Sequence, residues 1–179
     1  MKSLALLIVI ASTLTAQPNV RGQNLAPYVA SPQEIIDLML ESADVKQGEM
    51  VYDLGCGDGR IVVTAVKKFS AKAVGVELNP ELARSASDMI YRLGLQNHAT
   101  IIRGNMMDVD ISQADVVTLY LLTSSNEKLR PKLEKSLKPG ARVVSHDYAV
   151  RGWKPVRVEE MEVHGRTHKI YVYQVKSAK

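Results

Sequence analysis

From residue 26 onward, short apolar runs alternate with longer stretches in which apolar residues recur at helical spacing. Near-continuous apolar runs indicate strands that are buried on both faces, and such strands occur in parallel sheets covered by helices on both sides. The pattern therefore predicts an α/β fold built on a doubly wound, mostly parallel sheet. The predicted parallel strands are MVYDLG, AKAVGVEL, ATIIRGN, ADVVTLYLL and ARVVSHDY.

The predicted helices carry start and stop signals at their ends. In SPQEIIDLMLESADV, Ser31 is the expected N-cap and Pro32 the expected first helical residue. In NPELARSASDMIYRLG, Asn79 is the expected N-cap and Gly94 ends the helix. The remaining two predicted helices are RIVVTAVKKF and SNEKLRPKLEKSL.

The C-terminal part of the chain has a different pattern. Two extended runs, VRVEEMEV and HKIYVYQV, are separated by residues 164–167, and this stretch contains a glycine. Two such runs with a short glycine-containing connection are typical of a β-hairpin. We therefore expect the sheet to end in an antiparallel strand.

The first 23 residues differ from the rest of the chain. Lys2 precedes an apolar run at residues 4–11, and small and polar residues follow as far as Gln17. This is the layout of a secretory signal, although Leu14 stands where a small residue is expected before a cleavage after Ala16. The apolar run is shorter than the ~20 residues of a membrane-spanning helix. We expect residues 1–23 to be a signal-like or membrane-tethering segment and residues 24–179 to be a single domain.

The charge balance permits an acidic partner but does not require one. Lysine and arginine number 23 against 19 aspartates and glutamates, which gives a net charge of +4. Aromatic residues make up 5% of the chain, which disfavours single-strand binding by base stacking. A nucleic-acid partner is therefore disfavoured.

A glycine-rich turn, VYDLGCGDGR, joins the first predicted strand to the next helix. Its glycines, Gly55, Gly57 and Gly59, follow the pattern G-x-G-x-G. A dinucleotide-binding turn has G-x-G-x-x-G, and its third glycine would stand at Arg60. The lysine and hydroxyl pair of a P-loop is also missing. The spacing therefore disfavours NAD, FAD and a triphosphate nucleotide.

Asp53, at the end of the strand before this turn, indicates which nucleoside binds. Its carboxylate would repel a pyrophosphate at a helix N-terminus and attract a cation. S-adenosylmethionine carries an ammonium group, a sulfonium and no phosphate, so it fits. We expect its amino-acid end to lie against Asp53 and the backbone of Gly55, Cys56, Gly57 and Gly59. Cys56 is expected to be a small residue on the buried side of the turn rather than a nucleophile.

Polar residues also end the next two predicted strands. Glu77 follows Asp53 by 24 residues, the distance at which a carboxylate accepts hydrogen bonds from the ribose hydroxyls. Asn105 ends the third strand and can meet the amine edge of the adenine, with Met106 beside the ring. Together these strand ends predict a set of polar groups arranged along one nucleoside.

The same stretches resemble a known class of enzymes. VYDLGCGDGR, AVGVELNPEL, RGNMMDVD and LKPGARVVS are similar to the class I S-adenosylmethionine-dependent methyltransferases. PYVASPQEIIDLML and VVTLYLLTSSNEKLRPKLEKSLKPGARVVSHDYAVRGWKP resemble the small archaeal broad-specificity protein-lysine methyltransferases and their mitochondrial relatives, which modify ATP synthase. This resemblance spans residues 26–175. It implies a Rossmann-like seven-stranded sheet with the hairpin at one edge, and cofactor contacts at Asp53, Gly55, Gly57, Glu77 and Asn105.

The resemblance also concerns the segment before the first helix. Similar enzymes place the PYV segment, here with Tyr28, over the cofactor. Ala30 stands where those relatives often carry proline, so we expect this segment to be looser here. The apolar N-terminus is similar to the membrane-directing segment of the mitochondrial relatives, which favours a tether.

The activity implied by the resemblance is methyl transfer to the ε-amine of protein lysines. A lysine has a reference pKa of ~10.4 and must lose a proton before it attacks, and a partly apolar mouth near the sulfonium favours the neutral amine. Tyr120 at the end of the fourth strand and Thr123 in the loop after it are the expected acceptor-side residues. For His146 a structural role is favoured over that of a base, and Trp153 either walls a substrate groove or packs.

Two alternatives remain open at this stage. One is methylation of RNA or a small molecule on the same fold, although LYLLTSS lacks the Pro-Pro-aromatic turn typical of enzymes that methylate exocyclic base amines. The other is an exported nucleoside-binding protein without catalysis. We expect no metal, because His98, His164 and His168 lack ligand spacing and a lone cysteine makes no zinc site. We also expect a monomer that is cytoplasmic or membrane-tethered, with export as an alternative.

Overall fold

A computed structural model describes residues 28–176, so the predicted N-terminal segment lies outside the described residues. The helices are α1 (Gln33–Ser42), α2 (Arg60–Phe69), α3 (Pro80–Arg92) and α4 (Thr123–Ser136). The strands are β1 (Met50–Leu54), β2 (Lys72–Glu77), β3 (Ala99–Arg103), β4 (Val116–Leu119), β5 (Arg142–His146), β6 (Arg157–Val163) and β7 (Arg166–Gln174). No helix in this part of the chain has both the length and the apolar character needed to cross a membrane.

The strands form one seven-stranded sheet in the order β3-β2-β1-β4-β5-β7-β6. Strands β1 to β5 pair in parallel, β7 pairs antiparallel with β5, and β6 pairs antiparallel with β7. This confirms the predicted doubly wound, mostly parallel, Rossmann-like sheet with an antiparallel C-terminal strand. The strand order reverses between β1 and β4, and ligands in such sheets bind beyond the carboxyl ends of the strands at that point.

Two apolar cores lie on opposite faces of the sheet. Val51 of β1 belongs to a cluster with buried residues of α1, α2 and α3, whereas its neighbour Tyr52 belongs to a cluster with α4. Successive residues of a strand point to opposite faces, so the two clusters are separated by the sheet. This arrangement confirms the prediction of helices on both faces.

The helix boundaries agree with the predicted signals at α3 but not at α1. Asn79 caps α3 as predicted, because its side chain accepts hydrogen bonds from the amides of Glu81 and Leu82. Helix α1 begins one residue later than predicted, with Pro32 in the capping position and no side-chain cap. Ser31 was therefore wrongly predicted as the N-cap. Its hydroxyl instead contacts His146, a partner 115 residues away.

The C-terminal hairpin has a tighter turn than predicted. Strand β6 ends at Val163 and β7 begins at Arg166, so His164 and Gly165 alone form the turn. Both have positive φ, 51° and 75°, which is the conformation of the two-residue turn that matches the twist of hairpin strands. The turn places Arg166 inside β7, where it pairs with Asp147 at the end of β5.

Candidate functional site

A cavity that is open to solvent lies at the carboxyl ends of β1, β2 and β4. The segment before α1 covers one side of it, and Tyr28, Val29, Ala30 and Ser31 all line its wall. Its position at the reversal of strand order follows from the topology of the sheet. The predicted residues Tyr28, Asp53, Gly55, Cys56, Glu77, Asn105, Met106 and Tyr120 are among those that line it, whereas Gly57, Gly59 and Thr123 are not.

The glycine turn owes its shape to backbone conformations that favour glycine. Gly55, Gly57 and Gly59 all have positive φ, at 88°, 55° and 82°. A Cβ atom on Gly57 would lie 2.3 Å from the ring of Tyr28, so the exposed tyrosine ring rests on this glycine. A Cβ atom on Gly59 would lie 2.9 Å from Ala86, which brings α2 close to α3. The three glycines therefore have different roles, although they look equivalent in the sequence.

Cys56 lies on the buried side of the turn. It is 6% exposed and belongs to the apolar cluster. A Cβ atom on Gly75 would lie 2.6 Å from its Sγ, so the absence of a side chain at Gly75 makes room for the thiol. Burial, together with nearby carboxylates, strongly raises the pKa of Cys56, which keeps the thiol protonated. These features fit a packing role.

Asp53 is a buried carboxyl group with one oxygen paired and one not. Its Oδ1 accepts a hydrogen bond from Thr118 Oγ1 of β4 at 2.8 Å. Its Oδ2 is buried and has no hydrogen-bond partner among residues 28–176. Burial raises the pKa of Asp53 to about 7, and the nearby carboxylates of Glu77 and Asp58 contribute to the rise. An unpaired carboxylate oxygen at a cavity wall fits a cationic ligand, and an ammonium group would satisfy it.

Glu77 is held in one orientation by two backbone amides. Its Oε2 accepts a hydrogen bond from Gly57 N at 2.8 Å, and its Oε1 accepts one from Asn79 N at 2.8 Å. The carboxylate thus connects the glycine turn to the start of α3. Each carboxylate oxygen has a second lone pair, so Glu77 can still accept hydrogen bonds from ribose hydroxyls.

Asn105 and Met106 lie beyond the end of β3. Asn105 Oδ1 accepts a hydrogen bond from Met107 N at 2.9 Å, which fixes the orientation of the amide. The amide nitrogen then remains as a donor for a ring nitrogen of a base. Met106 is 9% exposed and lines the cavity, so its thioether can contact the face of a purine ring.

An ion pair beside Tyr28 was not predicted from the sequence. Arg60 forms a two-pronged ion pair with Asp58, with contacts of 3.0 Å from Nε to Oδ1 and 2.7 Å from Nη2 to Oδ2. Its Nη1 also donates to the carbonyl of Ser31 at 2.9 Å. Although burial opposes it, the hydrogen bonds from Arg60 lower the pKa of Asp58. The pair therefore ties the segment before α1 to the glycine turn, and Asp58 and Arg60 line the cavity as well.

Of the two predicted acceptor-side residues, Tyr120 lines the cavity and Thr123 does not. Tyr120 lines the cavity and stacks on His146, with 3.9 Å between the ring centroids. Burial raises the pKa of Tyr120, with a further contribution from Asp147, so the phenol stays protonated at neutral pH. Thr123 is half-buried and is the first residue of α4. Trp153 lies away from the cavity, where it contacts Tyr173 and donates to Glu134.

His146, Asp147 and His168 are the residues in the described part of the chain that come close enough to hold a metal ion. This grouping was not visible in the sequence, where His168 showed no ligand spacing. The three are already engaged, because His146 Nε2 lies 2.8 Å from His168 Nδ1 and Asp147 Oδ2 accepts from Arg166 Nη2 at 2.6 Å. The guanidinium on the carboxylate makes the cluster a closed hydrogen-bond network rather than an open set of metal ligands.

The fold and the site together define a class I S-adenosylmethionine-dependent methyltransferase. The particular family follows from comparison with known sequences: the profile described as "ANTKMT methyltransferase domain" matches residues 53–157, more than half of the chain, and the chain belongs to this family. The predicted class of enzyme and its cofactor are thereby confirmed.

Individual relatives agree with this assignment. A protein-lysine N-methyltransferase of Saccharolobus islandicus is 52% identical over 150 residues, which is 83% of this chain and 93% of that protein. The adenine nucleotide translocase lysine N-methyltransferase of Mus musculus is 33% identical over 90% of this chain and 70% of that one. The crystal structure of an RNA methyltransferase from Salinibacter ruber, in complex with S-adenosyl-L-homocysteine, has a TM-score of 0.78 and 40% identity, and covers 84% of this chain and 96% of that one.

Proposed function

We propose that this chain transfers the methyl group of S-adenosylmethionine to the ε-amine of lysine residues in proteins. The observation that carries the proposal is the 52% identity to a protein-lysine N-methyltransferase over 93% of its length. At the site, the exposed apolar side chains of Tyr28 and Val29 line the cavity, and the exposed Leu122 follows Leu121 of the cavity wall in the chain. An apolar mouth suits the aliphatic stem of a lysine side chain on a protein surface.

The residues present fit the cofactor. We propose that Asp53 Oδ2 accepts from its ammonium group, that Glu77 accepts from its ribose hydroxyls, and that Asn105 and Met106 contact its adenine. Gly55, Cys56, Gly57 and Gly59 would shape the backbone beside its amino-acid end, and Tyr28 would cover it. When bound, the cofactor supplies an activated methyl group on a sulfonium.

On the acceptor side, the residues of this chain have to orient a neutral amine. Tyr120 presents a protonated phenol at the cavity wall, and Thr123 begins the helix that follows. We propose that Tyr120 orients the amine and that Thr123 lines its approach. An apolar surrounding next to a cation favours the neutral form of the amine.

The proposal is tested by methylation of proteins from a heat-treated bacterial lysate with methyl-tritiated cofactor, followed by acid hydrolysis and amino-acid analysis. We expect label in ε-N-methyl-lysine. The Glu77→Ala variant, prepared in the same way, serves as a control for contaminating methyltransferases and should give little label. Label that is absent from lysine, or equal to that from a mock preparation without this chain, would refute the proposal.

A second candidate is methylation of RNA, favoured by the 40% identity to the RNA methyltransferase of Salinibacter ruber. Against it, one face of Tyr120 is already covered by His146, which leaves less of the ring for stacking on a base. The same assay decides between the two when it is run on lysate RNA and lysate protein separately. Label in the RNA fraction alone would favour this second candidate.

We propose further that the enzyme acts as a monomer and needs no metal. Sedimentation should give the mass of one chain, and treatment with a chelator should leave the methylation rate unchanged. Membership in a methyltransferase family favours these enzyme proposals over the alternative of a non-catalytic binding protein.

A further inference from the structure

A buried hydrogen-bonded chain begins at the cavity wall, where Ser31 and Tyr120 both contact His146, and leads away from the cavity. Ser31 is part of the cavity wall, and its Oγ lies 3.0 Å from His146 Nδ1. His146 Nε2 in turn lies 2.8 Å from His168 Nδ1 on β7. Ser31, His146 and His168 are 3%, 0% and 5% exposed. Three polar side chains that are buried in a row, each in contact with the next, form a path for a proton between the cavity and the far side of β5.

One carboxylate and one guanidinium lie beside the two histidines of this path. Asp147 Oδ2 lies 3.3 Å from His146 Nε2 and 3.4 Å from His168 Nδ1. Asp147 has a φ of 59°, and its backbone bends so that Lys169 N donates to Oδ1. Arg166 of β7 is the nearby cation. Its Nη2 donates to Asp147 Oδ2, the same oxygen that lies close to the two imidazole rings. The other titratable neighbour is Tyr120, which stacks on His146 and stays protonated.

We propose that Ser31, His146 and His168 form a proton relay that deprotonates the substrate lysine. The inference rests on the proposed function, because it assigns the proton that a lysine ammonium has to lose before it can attack. Ser31 is the end that contacts the substrate, and the two histidines act through it. The relay explains why a serine that could cap α1 is bonded to a histidine instead.

The transfer is balanced at each atom. An N–H bond of the lysine ammonium breaks and an O–H bond forms at Ser31 Oγ, while the hydroxyl proton of Ser31 passes to His146 Nδ1. The proton on His146 Nε2 passes to His168 Nδ1. The result is a neutral amine in the cavity and an imidazolium at His168 beside the Asp147 carboxylate, from which the proton exchanges with solvent.

His146 lies between Ser31 and His168 in this path, and its properties suit a group that passes a proton on rather than one that holds it. Burial lowers the pKa of His146 to about 4, and His168 and Arg166 oppose its charge while Asp147 favours it. The ring is therefore neutral at pH 7, and one of its nitrogens is free to accept while the other donates. A proton that arrives on Nδ1 is passed on from Nε2 in the same event.

The test compares methyl-lysine formation by the wild-type chain, Ser31→Ala and His146→Gln between pH 7 and pH 10 at saturating cofactor, with lysate proteins as substrate. General acid–base groups contribute typically 10²–10⁴-fold, so we expect His146→Gln to be at least 100-fold slower than wild type at pH 7.5. At pH 10 a large fraction of lysine is already neutral, so the loss should shrink to less than tenfold. Ser31→Ala should show the same trend, and His98→Gln, an exposed histidine outside the path, should match wild type.

The outcomes separate the relay from a structural role. Binding of S-adenosylhomocysteine, measured by calorimetry, should stay within threefold of wild type in both variants. A rate loss that is the same at pH 7.5 and pH 10, or the absence of a loss, would overturn the relay while leaving lysine methylation intact. If His146→Gln does not fold, Ser31→Ala decides between the relay and a structural role. This variant removes only one hydroxyl at the edge of the core, so we expect it to fold. Absence of methyl-lysine with the wild-type chain would overturn both proposals.

Discussion

At the scale of single residues, two of the three carboxyl groups that line the cavity, those of Asp53 and Glu77, lie in contrasting environments. Glu77 has both oxygens bonded to backbone amides, which fixes its position. Asp53 has one oxygen bonded to Thr118 and one buried without a partner in residues 28–176, and its pKa is raised to about 7. Glu77 is therefore an acceptor held in one orientation, whereas Asp53 has an unpaired oxygen that a cation would satisfy.

Cofactor affinity should depend on pH through Asp53. We expect S-adenosylhomocysteine, which has the same ammonium group, to bind about tenfold more weakly for each pH unit below 7, because the carboxyl group must ionise to hold the cation. Asp53→Asn should weaken binding by about 10- to 100-fold at pH 8, as expected for loss of a charged hydrogen bond, and should remove the pH dependence. Calorimetry between pH 5.5 and 8 measures both effects, with the exposed Asp88→Asn as the control. The same affinity at pH 6 and pH 8 would contradict this role.

Replacing Glu77 should affect both the ligand and the turn. Glu77→Ala removes the acceptor for two amides as well as the proposed ribose contact, so we expect cofactor binding to weaken by about 1–3 kcal/mol. The exposed Glu162→Ala on β6 is a matched control far along the sheet. Calorimetry with S-adenosylhomocysteine checks the prediction. Unchanged affinity would mean that the nucleoside does not lie against Glu77.

At the scale of the elements, the glycine turn and the segment before α1 work as a pair. Tyr28 lies over Gly57, while Arg60 bonds both Asp58 and the carbonyl of Ser31. These contacts hold the segment against the turn, although its side chains at Tyr28 and Val29 remain exposed. Because the segment also lines the cavity wall, we propose that it covers a ligand bound there.

Gly57→Ala should displace this segment, and Gly48→Ala should not. Both glycines have positive φ, so each substitution should cost about 1 kcal/mol of stability from the backbone alone. A Cβ at Gly57 would collide with the Tyr28 ring, whereas one at Gly48 would meet nothing within 4 Å. We expect at least a tenfold loss of cofactor affinity in Gly57→Ala and none in Gly48→Ala, by calorimetry alongside thermal melting. Equal affinities for the two variants would show that Tyr28 does not cover the cofactor.

The elements themselves were largely predictable from local sequence. Helix α2 has the predicted bounds, and Asn79 caps α3, because capping and periodicity depend on residues close in the chain. Ser31 was wrongly predicted as a cap because it has a competing partner in β5. The turn at His164 was shorter than predicted because Arg166 pairs in the sheet, a contact that the local pattern does not contain.

The site was predictable where it follows from strand order. Asp53 and Glu77 end neighbouring parallel strands, so their residue types and positions suffice to place them near one another. The bonds of Ser31 to His146 and of His146 to His168 join residues 115 and 22 positions apart. No spacing rule relates such residues. The first contact depends on how the segment before α1 packs beside β5, and the second on how β7 inserts between β5 and β6.

At the scale of the whole molecule, two buried groups make stability depend on pH in opposite directions. Asp53 has a folded pKa of about 7 against ~3.9 in an unfolded chain, so the folded state holds its proton longer and the free energy of unfolding falls as pH rises from 4 to 7. His146 has a folded pKa of about 4 against ~6.5, so the free energy of unfolding falls as pH drops from 6.5 to 4.

Variants at these two positions should separate the contributions. Relative to wild type, Asp53→Asn should be near neutral at pH 4.5 and more stable at pH 8, by up to about 4 kcal/mol, because it removes a buried charge. His146→Gln should gain relative stability as the pH falls from 7.5 to 4.5, by up to about 3 kcal/mol. Urea unfolding at four pH values measures both differences, and a difference for Asp53→Asn that does not change with pH would contradict the assignment. Because the two groups oppose one another between pH 4.5 and 6.5, the wild-type curve alone conceals them, and each variant has to be compared with wild type at the same pH.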